Sequence, residues 1–165
     1  MSVQLLANIV IGLALVGFLA YRQATWQTID PTRVWRTPLV LGGIGLVVLA
    51  QSAAAVTTLD VLFLGVEALV AVVAGIAMGA MTRFRTVAPD EKGRTVQART
   101  GWAGAGLWVV LIAVRIGLDV LGGQLGAHLL TSTGAVLLVL AVNRAARALV
   151  VDQRIPRPAT GMMVR

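Results

Sequence analysis

Five apolar stretches alternate with connections that carry many basic residues or none. A transmembrane helix needs about 20 apolar residues, and each stretch is close to that length. Of the fourteen basic residues, all except Arg115 lie after the first, third and fifth stretches. The connections around 57–60 and 121–127 carry no Lys or Arg. By the positive-inside rule, this alternation predicts a multi-pass membrane protein with its basic connections in the cytoplasm.

The predicted fold is all-α, a polytopic transmembrane helix bundle with the N-terminus outside and the C-terminus in the cytoplasm. Only helices and closed barrels satisfy backbone hydrogen bonds in lipid, and no period-two alternation indicates a barrel. The five predicted spans cover residues 3–21, 38–57, 59–81, 101–121 and 125–143. They form one domain over 1–150, followed by a short basic cytoplasmic tail over 151–165.

Composition supports a membrane location and limits the chemistry. The chain is 58% hydrophobic and 13% charged, more apolar than a soluble domain of 165 residues can bury. The net charge of +7 is interpreted as attraction to the membrane surface, not as nucleic-acid binding. The first residues lack a basic segment and predict a retained helix. The predicted location is the bacterial cytoplasmic (inner) membrane.

The connection over 82–100 has two interpretations. Thr86-Val87 and Thr95-Val96 flank a polar turn at 89–93, a pattern typical of a short hairpin. The alternative is an unstructured basic loop.

Glu67 and Arg115 stand out among the ionisable residues of the predicted spans, because a charge within the membrane is costly. At 1.5 Å per residue, Glu67 lies about 12 Å and Arg115 about 9 Å below the outer boundary, which predicts an ion pair. Asp119 is four residues from Arg115 on the same helical face and is predicted to contact it as well. Ala71, Gly75 and Gly79 continue the face of Glu67 as small residues, which predicts close packing of another helix.

Further polar residues fall in the same outer half of the predicted bundle. With Glu67, Arg115 and Asp119, they form a buried polar network or a ligand pocket open to the outside. The additional members are Gln51, Asn8, Thr131 and Ser132. Such a network acts either as contacts between helices or as a binding site, and the sequence leaves both open.

No catalytic motif, metal site or cofactor is predicted. The chain has no cysteine and one histidine, which excludes thiolate metal sites, iron–sulfur clusters and disulfides within the chain. Neither a G-x-S-x-G elbow, nor a Walker loop, nor an H-E-x-x-H motif occurs. These observations favour a non-enzymatic protein.

The order of several short motifs resembles the CcdC family of small bacterial membrane proteins. The matching elements are Arg33 to Pro38, Asp60 with Glu67, Gly75-x-x-x-Gly79, Gly93-Arg94 to Arg99, and Arg115. The resemblance implies the multi-pass architecture, emphasises Glu67 and Arg115, and suggests proximity to cytochrome c maturation. The absence of cysteine argues against direct thiol transfer.

The leading functional prediction is a non-enzymatic accessory or interaction component of the membrane. The alternative is a small oligomeric transporter or channel subunit with an outward-facing polar pocket. The expected partners are the lipid bilayer and other membrane proteins or further copies of the chain, with no nucleic acid.

Overall fold

The computed structural model describes residues 17–18, 21, 25–30, 33–51, 56–91, 94–127 and 129–155. These residues form four helices and a small three-stranded sheet. The helices are α1 (Arg36–Gln51), α2 (Thr58–Met81), α3 (Gly101–Gln124) and α4 (Thr133–Arg154). The strands are β1 (Gln27–Ile29), β2 (Arg83–Thr86) and β3 (Val96–Arg99).

Helix α4 is the centre of the bundle. It packs along both α1 and α2, whereas α3 packs mainly against α2. Gly134 of α4 faces α1 so closely that a Cβ atom would lie 2.6 Å from the backbone nitrogen of Leu49. On α2, a Cβ at Gly79 would lie 2.8 Å from the Cβ of Val150. Glycine at these positions allows the helix backbones to approach each other.

Capping residues define where two of the helices begin. Thr57 and Asp60 form a capping box at the start of α2, in which each side chain accepts a hydrogen bond from the other residue's backbone N–H. The hydroxyl of Ser132 accepts a hydrogen bond from the backbone of Ala135 at the start of α4. Gly126, with φ of 87°, reverses the chain between α3 and α4.

The sheet lies where α1 and α3 begin and α2 and α4 end, and we call this the sheet end. Strand β3 is central and pairs antiparallel with both neighbours. Strands β2 and β3 form the hairpin predicted over 82–100, with Thr86 opposite Val96. Val96 and Ala98 are buried beneath the sheet. By the positive-inside rule, the arginines gathered here predict that the sheet end faces the cytoplasm.

The prediction of an all-α bundle with five spans is wrong. Within the described residues, three helices are long and apolar enough to cross a membrane: α2, α3 and α4. Helix α1 lies where the span 38–57 was predicted, and it has 16 residues. Its length is about 24 Å, shorter than a hydrocarbon core of about 30 Å. The predicted span 3–21 falls almost entirely outside the described residues. The sheet also departs from the all-α class.

The last predicted span, 125–143, is displaced along the chain. The described residues 125–127 and 129–132 are not helical, and α4 begins only at Thr133 and continues to Arg154. The apolar residues Leu129 and Leu130 resemble the start of a span, but they are buried against the outer ends of the helices. The backbone of Leu129 donates to the buried carboxylate of Asp60 over 2.9 Å. Residues 156–165, most of the predicted tail, lie outside the described residues.

Candidate functional site

The predicted ion pair forms between α2 and α3. Arg115 Nη1 lies 2.6 Å from Glu67 Oε2, and the Glu67 side chain is 2% exposed. Arg115 Nη2 also donates to the carbonyl oxygen of Leu130 over 2.9 Å. One guanidinium therefore joins three parts of the chain: α2, α3 and the turn before α4. Within a predicted span, such pairing offsets part of the free-energy cost of a buried charge.

Asp119 completes what we call the charge cluster, defined as Glu67, Arg115 and Asp119. Arg115 Nε lies 3.8 Å from Asp119 Oδ2, which is farther than the 2.6 Å between Arg115 Nη1 and Glu67 Oε2. Two buried oxygens, Glu67 Oε1 and Asp119 Oδ1, have no hydrogen-bond partner among the described residues. One cation thus faces two carboxyl groups, and the cluster retains capacity to accept further hydrogen bonds.

Among the described residues, Gln51 and Ser132 form no ion pair or hydrogen bond with the charge cluster. Gln51 is exposed at the end of α1, and Ser132 caps α4. Thr131 is an exposed residue of the turn before α4. Asn8 lies outside the described residues.

The predicted packing face of α2 contacts α4. Ala71 is 0% exposed, and its carbonyl oxygen accepts a hydrogen bond from Asn143 Nδ2 over 2.9 Å. A Cβ atom at Gly75 would collide with the backbone oxygen of Asn143 and lie 2.9 Å from the Cβ of Ala146. Asn143, which the sequence analysis placed at a span boundary, is a buried hydrogen-bonding residue within α4.

A cleft of about 240 Å³ separates α3 from α4, with α2 as its floor. We call it the membrane cleft. The cleft exists because α3 packs mainly against α2, while α4 packs against α1 and α2. It extends along α3 from Trp108 to Leu118, which is about 15 Å of helix. Its lining is almost entirely aliphatic and aromatic, apart from Glu67, Arg115 and Asn143.

A second, larger cavity of about 560 Å³ lies at the sheet end. We call it the arginine cavity because Arg33, Arg99, Arg144 and Arg147 line it. Asp30 is the only carboxylate among its described lining residues, and it lies 3.3 Å from the guanidinium of Arg33. Trp108 lines both this cavity and the membrane cleft, so the two spaces meet at its side chain.

A buried relay of hydroxyl groups positions Arg147 in the arginine cavity. Arg147 Nη2 donates to Thr100 Oγ1 over 2.7 Å. Thr82 Oγ1 donates to the carbonyl oxygen of Met78 over 2.8 Å and lies 3.5 Å from Thr100 Oγ1. A hydroxyl has one hydrogen to donate, and Thr82 donates its hydrogen to Met78. Thr100 is therefore the donor in the contact between the two threonine hydroxyls. Sequence analysis missed this relay, since it joins residues of three elements at the sheet end.

Three of the described helices are long and apolar enough to cross a membrane, which is compatible with a membrane protein, and the charge cluster joins two of them. Within the described residues, no group of three His, Cys, Asp or Glu side chains is placed to hold a metal ion. No protein-family model, curated protein or solved structure matches the chain. The resemblance to the CcdC family stays a prediction.

Proposed function

We propose that the protein is a non-enzymatic accessory component of the bacterial cytoplasmic membrane that binds an apolar chain in the membrane cleft. The observation that carries the proposal is the cleft itself, an apolar space between two helices that both pack against α2. Apolar cavities with a few polar groups are typical of small-molecule sites. The acyl chain of a membrane lipid has the shape and chemistry of this space.

The charge cluster supports this proposal by holding the cleft open. Arg115 ties α3 to α2 and to the turn before α4, and it is one of the residues that line the cleft. Glu67 also lines the cleft, and its Oε1 has no hydrogen-bond partner among the described residues. A ligand with a hydroxyl or amide group would donate a hydrogen bond there, while its apolar body contacts the aliphatic walls.

Neighbouring positions on α3 give a matched test. Leu111 lines the membrane cleft, whereas Val110 is 56% exposed and lies outside its lining. We expect Leu111→Trp to fill the cleft and reduce the amount of lipid that the purified full chain retains in neutral detergent. Native mass spectrometry counts the retained lipid. Val110→Trp adds the same volume on the outer surface and is expected to retain lipid like the parent protein.

Equal lipid retention by the two tryptophan variants would contradict the proposal. So would a crosslink between the cleft and residues 3–21, because the chain itself would then occupy the space. Both variants are compared only after their helical content matches that of the parent protein, measured by circular dichroism.

A small transporter or channel subunit is a second candidate, favoured by the charges within the predicted spans. Intramembrane ionisable residues often mark ion or substrate pathways. This candidate predicts uptake or current in reconstituted vesicles that disappears on Glu67→Gln. Unchanged flux in that variant, or no flux in the parent protein, would reject it.

A further inference from the structure

We infer that the arginine cavity is a binding site for a phosphate-bearing anion at the cytoplasmic side of the membrane. The inference goes beyond the proposed function, because an anion site at the sheet end does not require a chain in the membrane cleft. The two forms that such an anion takes at a membrane are the headgroup of an anionic lipid and free phosphate.

The first argument is the charge of the cavity lining. Four arginines and one aspartate give an excess of three positive charges (four minus one) among the described lining residues. The aspartate, Asp30, already pairs with Arg33. Guanidinium groups match phosphate oxygens through paired N–H donors, and they are less strongly hydrated than ammonium groups. All four basic residues among the described lining of the cavity are arginines, and none is lysine.

The second argument is that the structure positions these cations before any ligand arrives. Arg147 is held by its hydrogen bond to Thr100, and the Arg144 guanidinium lies 6.0 Å from the centre of the Trp108 ring. Arg99 extends from β3, the central strand of the sheet. These residues come from α4 and β3, so the rigid frame of helix and sheet sets their spacing. A site whose donors are already placed loses less conformational entropy on binding.

The third argument is the position of the cavity relative to the membrane. The cavity lies where α2 and α4 end and α1 and α3 begin, level with the predicted cytoplasmic headgroups. It meets the apolar membrane cleft at Trp108. A phospholipid has the same order of parts, an anionic head followed by an apolar chain. Basic pockets between transmembrane helices on the cytoplasmic side are typical sites for such headgroups.

The test compares two variants with the same loss of charge. Arg99→Gln/Arg144→Gln removes two cavity arginines, whereas Arg83→Gln/Arg94→Gln removes two arginines of the hairpin that do not line the cavity. The delipidated full chain is titrated in neutral detergent with phosphatidylglycerol, phosphatidylcholine or inorganic phosphate. Native mass spectrometry measures bound lipid, and displacement of bound phosphatidylglycerol measures phosphate.

We expect the cavity variant to lose about 25-fold in affinity for the anionic ligand, or about fivefold per arginine, and the hairpin variant to change less than about twofold. Arg33→Gln, at an exposed position of the cavity rim, gives an independent single variant with little risk to folding and an expected loss of about fivefold. Binding of phosphatidylglycerol without displacement by phosphate identifies a lipid headgroup. Displacement by inorganic phosphate that requires Arg99 and Arg144 identifies free phosphate.

Equal losses of affinity in the cavity and hairpin variants would overturn the inference, as would the absence of binding of either anion by the parent protein. If the cavity variant does not fold, an unchanged affinity in Arg33→Gln would overturn it. Failure of the proposed function gives a different result from failure of this inference. In that case Leu111→Trp leaves lipid retention unchanged, while the dependence on Arg33, Arg99 and Arg144 persists.

Discussion

Helix α2 meets its two neighbours in different ways. Against α4 it presents Gly75 and Gly79, and the two backbones are too close to admit a Cβ atom without a shift. Toward α3 it presents Glu67, whose Oε2 forms an ion pair with Arg115 Nη1 over 2.6 Å. The α4 side is closed by small residues, whereas the α3 side leaves the membrane cleft beside it.

The two interfaces of α2 are stabilised by different interactions. In a membrane, helices associate through close packing and hydrogen bonds, because lipid is as apolar as the side chains. The α2–α4 interface has both, through its glycines and through Asn143. The α2–α3 interface depends more on charge, so it is the side where a ligand can enter without displacing tightly packed backbone.

The largest effect is expected when one partner of the ion pair is removed. Arg115→Ala leaves the buried carboxylate of Glu67 without its cation, and we expect a loss of about 3–5 kcal/mol in unfolding free energy. Titration with a denaturing detergent, followed by circular dichroism, measures this loss. The double variant Glu67→Gln/Arg115→Gln removes both charges and is expected to be more stable than Arg115→Ala. A double variant as unstable as Arg115→Ala would show that charge does not dominate the α2–α3 interface.

The packed side of α2 is expected to be sensitive to added volume. Gly75→Ala places a methyl group against the backbone of Asn143 and is expected to cost about 1–3 kcal/mol in unfolding free energy. Gly65→Ala on the same helix is the matched control, since no atom lies within 4 Å of its added Cβ. It is expected to leave stability unchanged or slightly raised. The same detergent titration compares them, and equal stability of the two variants would contradict close packing at Gly75.

A smaller effect is expected from the hydrogen bond across the packed interface. Asn143→Ala removes the donor to the Ala71 carbonyl oxygen, and such interhelical bonds contribute about 1 kcal/mol. Hydrogen exchange at the amides of α4 provides the measurement, with faster exchange expected near residue 143. Unchanged exchange would show that the glycines alone stabilise this interface.

Sustained hydropathy was sufficient to predict α2 and α3 almost to their ends, because both are long apolar helices. The depth of Glu67 and Arg115 along those helices predicted their ion pair. The start of α4 was mispredicted, since Leu129 and Leu130 are as apolar as a span but lie in a turn. Hydropathy does not distinguish an apolar turn buried against the bundle from the first turn of a helix.

Contacts between distant parts of the chain could not be predicted from the sequence. Strand β1 is three residues long and pairs with β3, so neither length nor alternation marked it. The arginines that form the arginine cavity were interpreted as a general surface charge, because their convergence depends on how α4 and the sheet pack. Asn143 is the last residue of the predicted span 125–143, and its hydrogen bond to α2 depends on the rotation of both helices.

The most direct test of the central claim is an experimental structure of the full chain in lipid nanodiscs. We predict elongated density between α3 and α4, bordered by Trp108 at the sheet end and by the Glu67–Arg115 pair at the other end. An α3 helix packed directly against α4, or a cleft filled by residues 3–21, would contradict it.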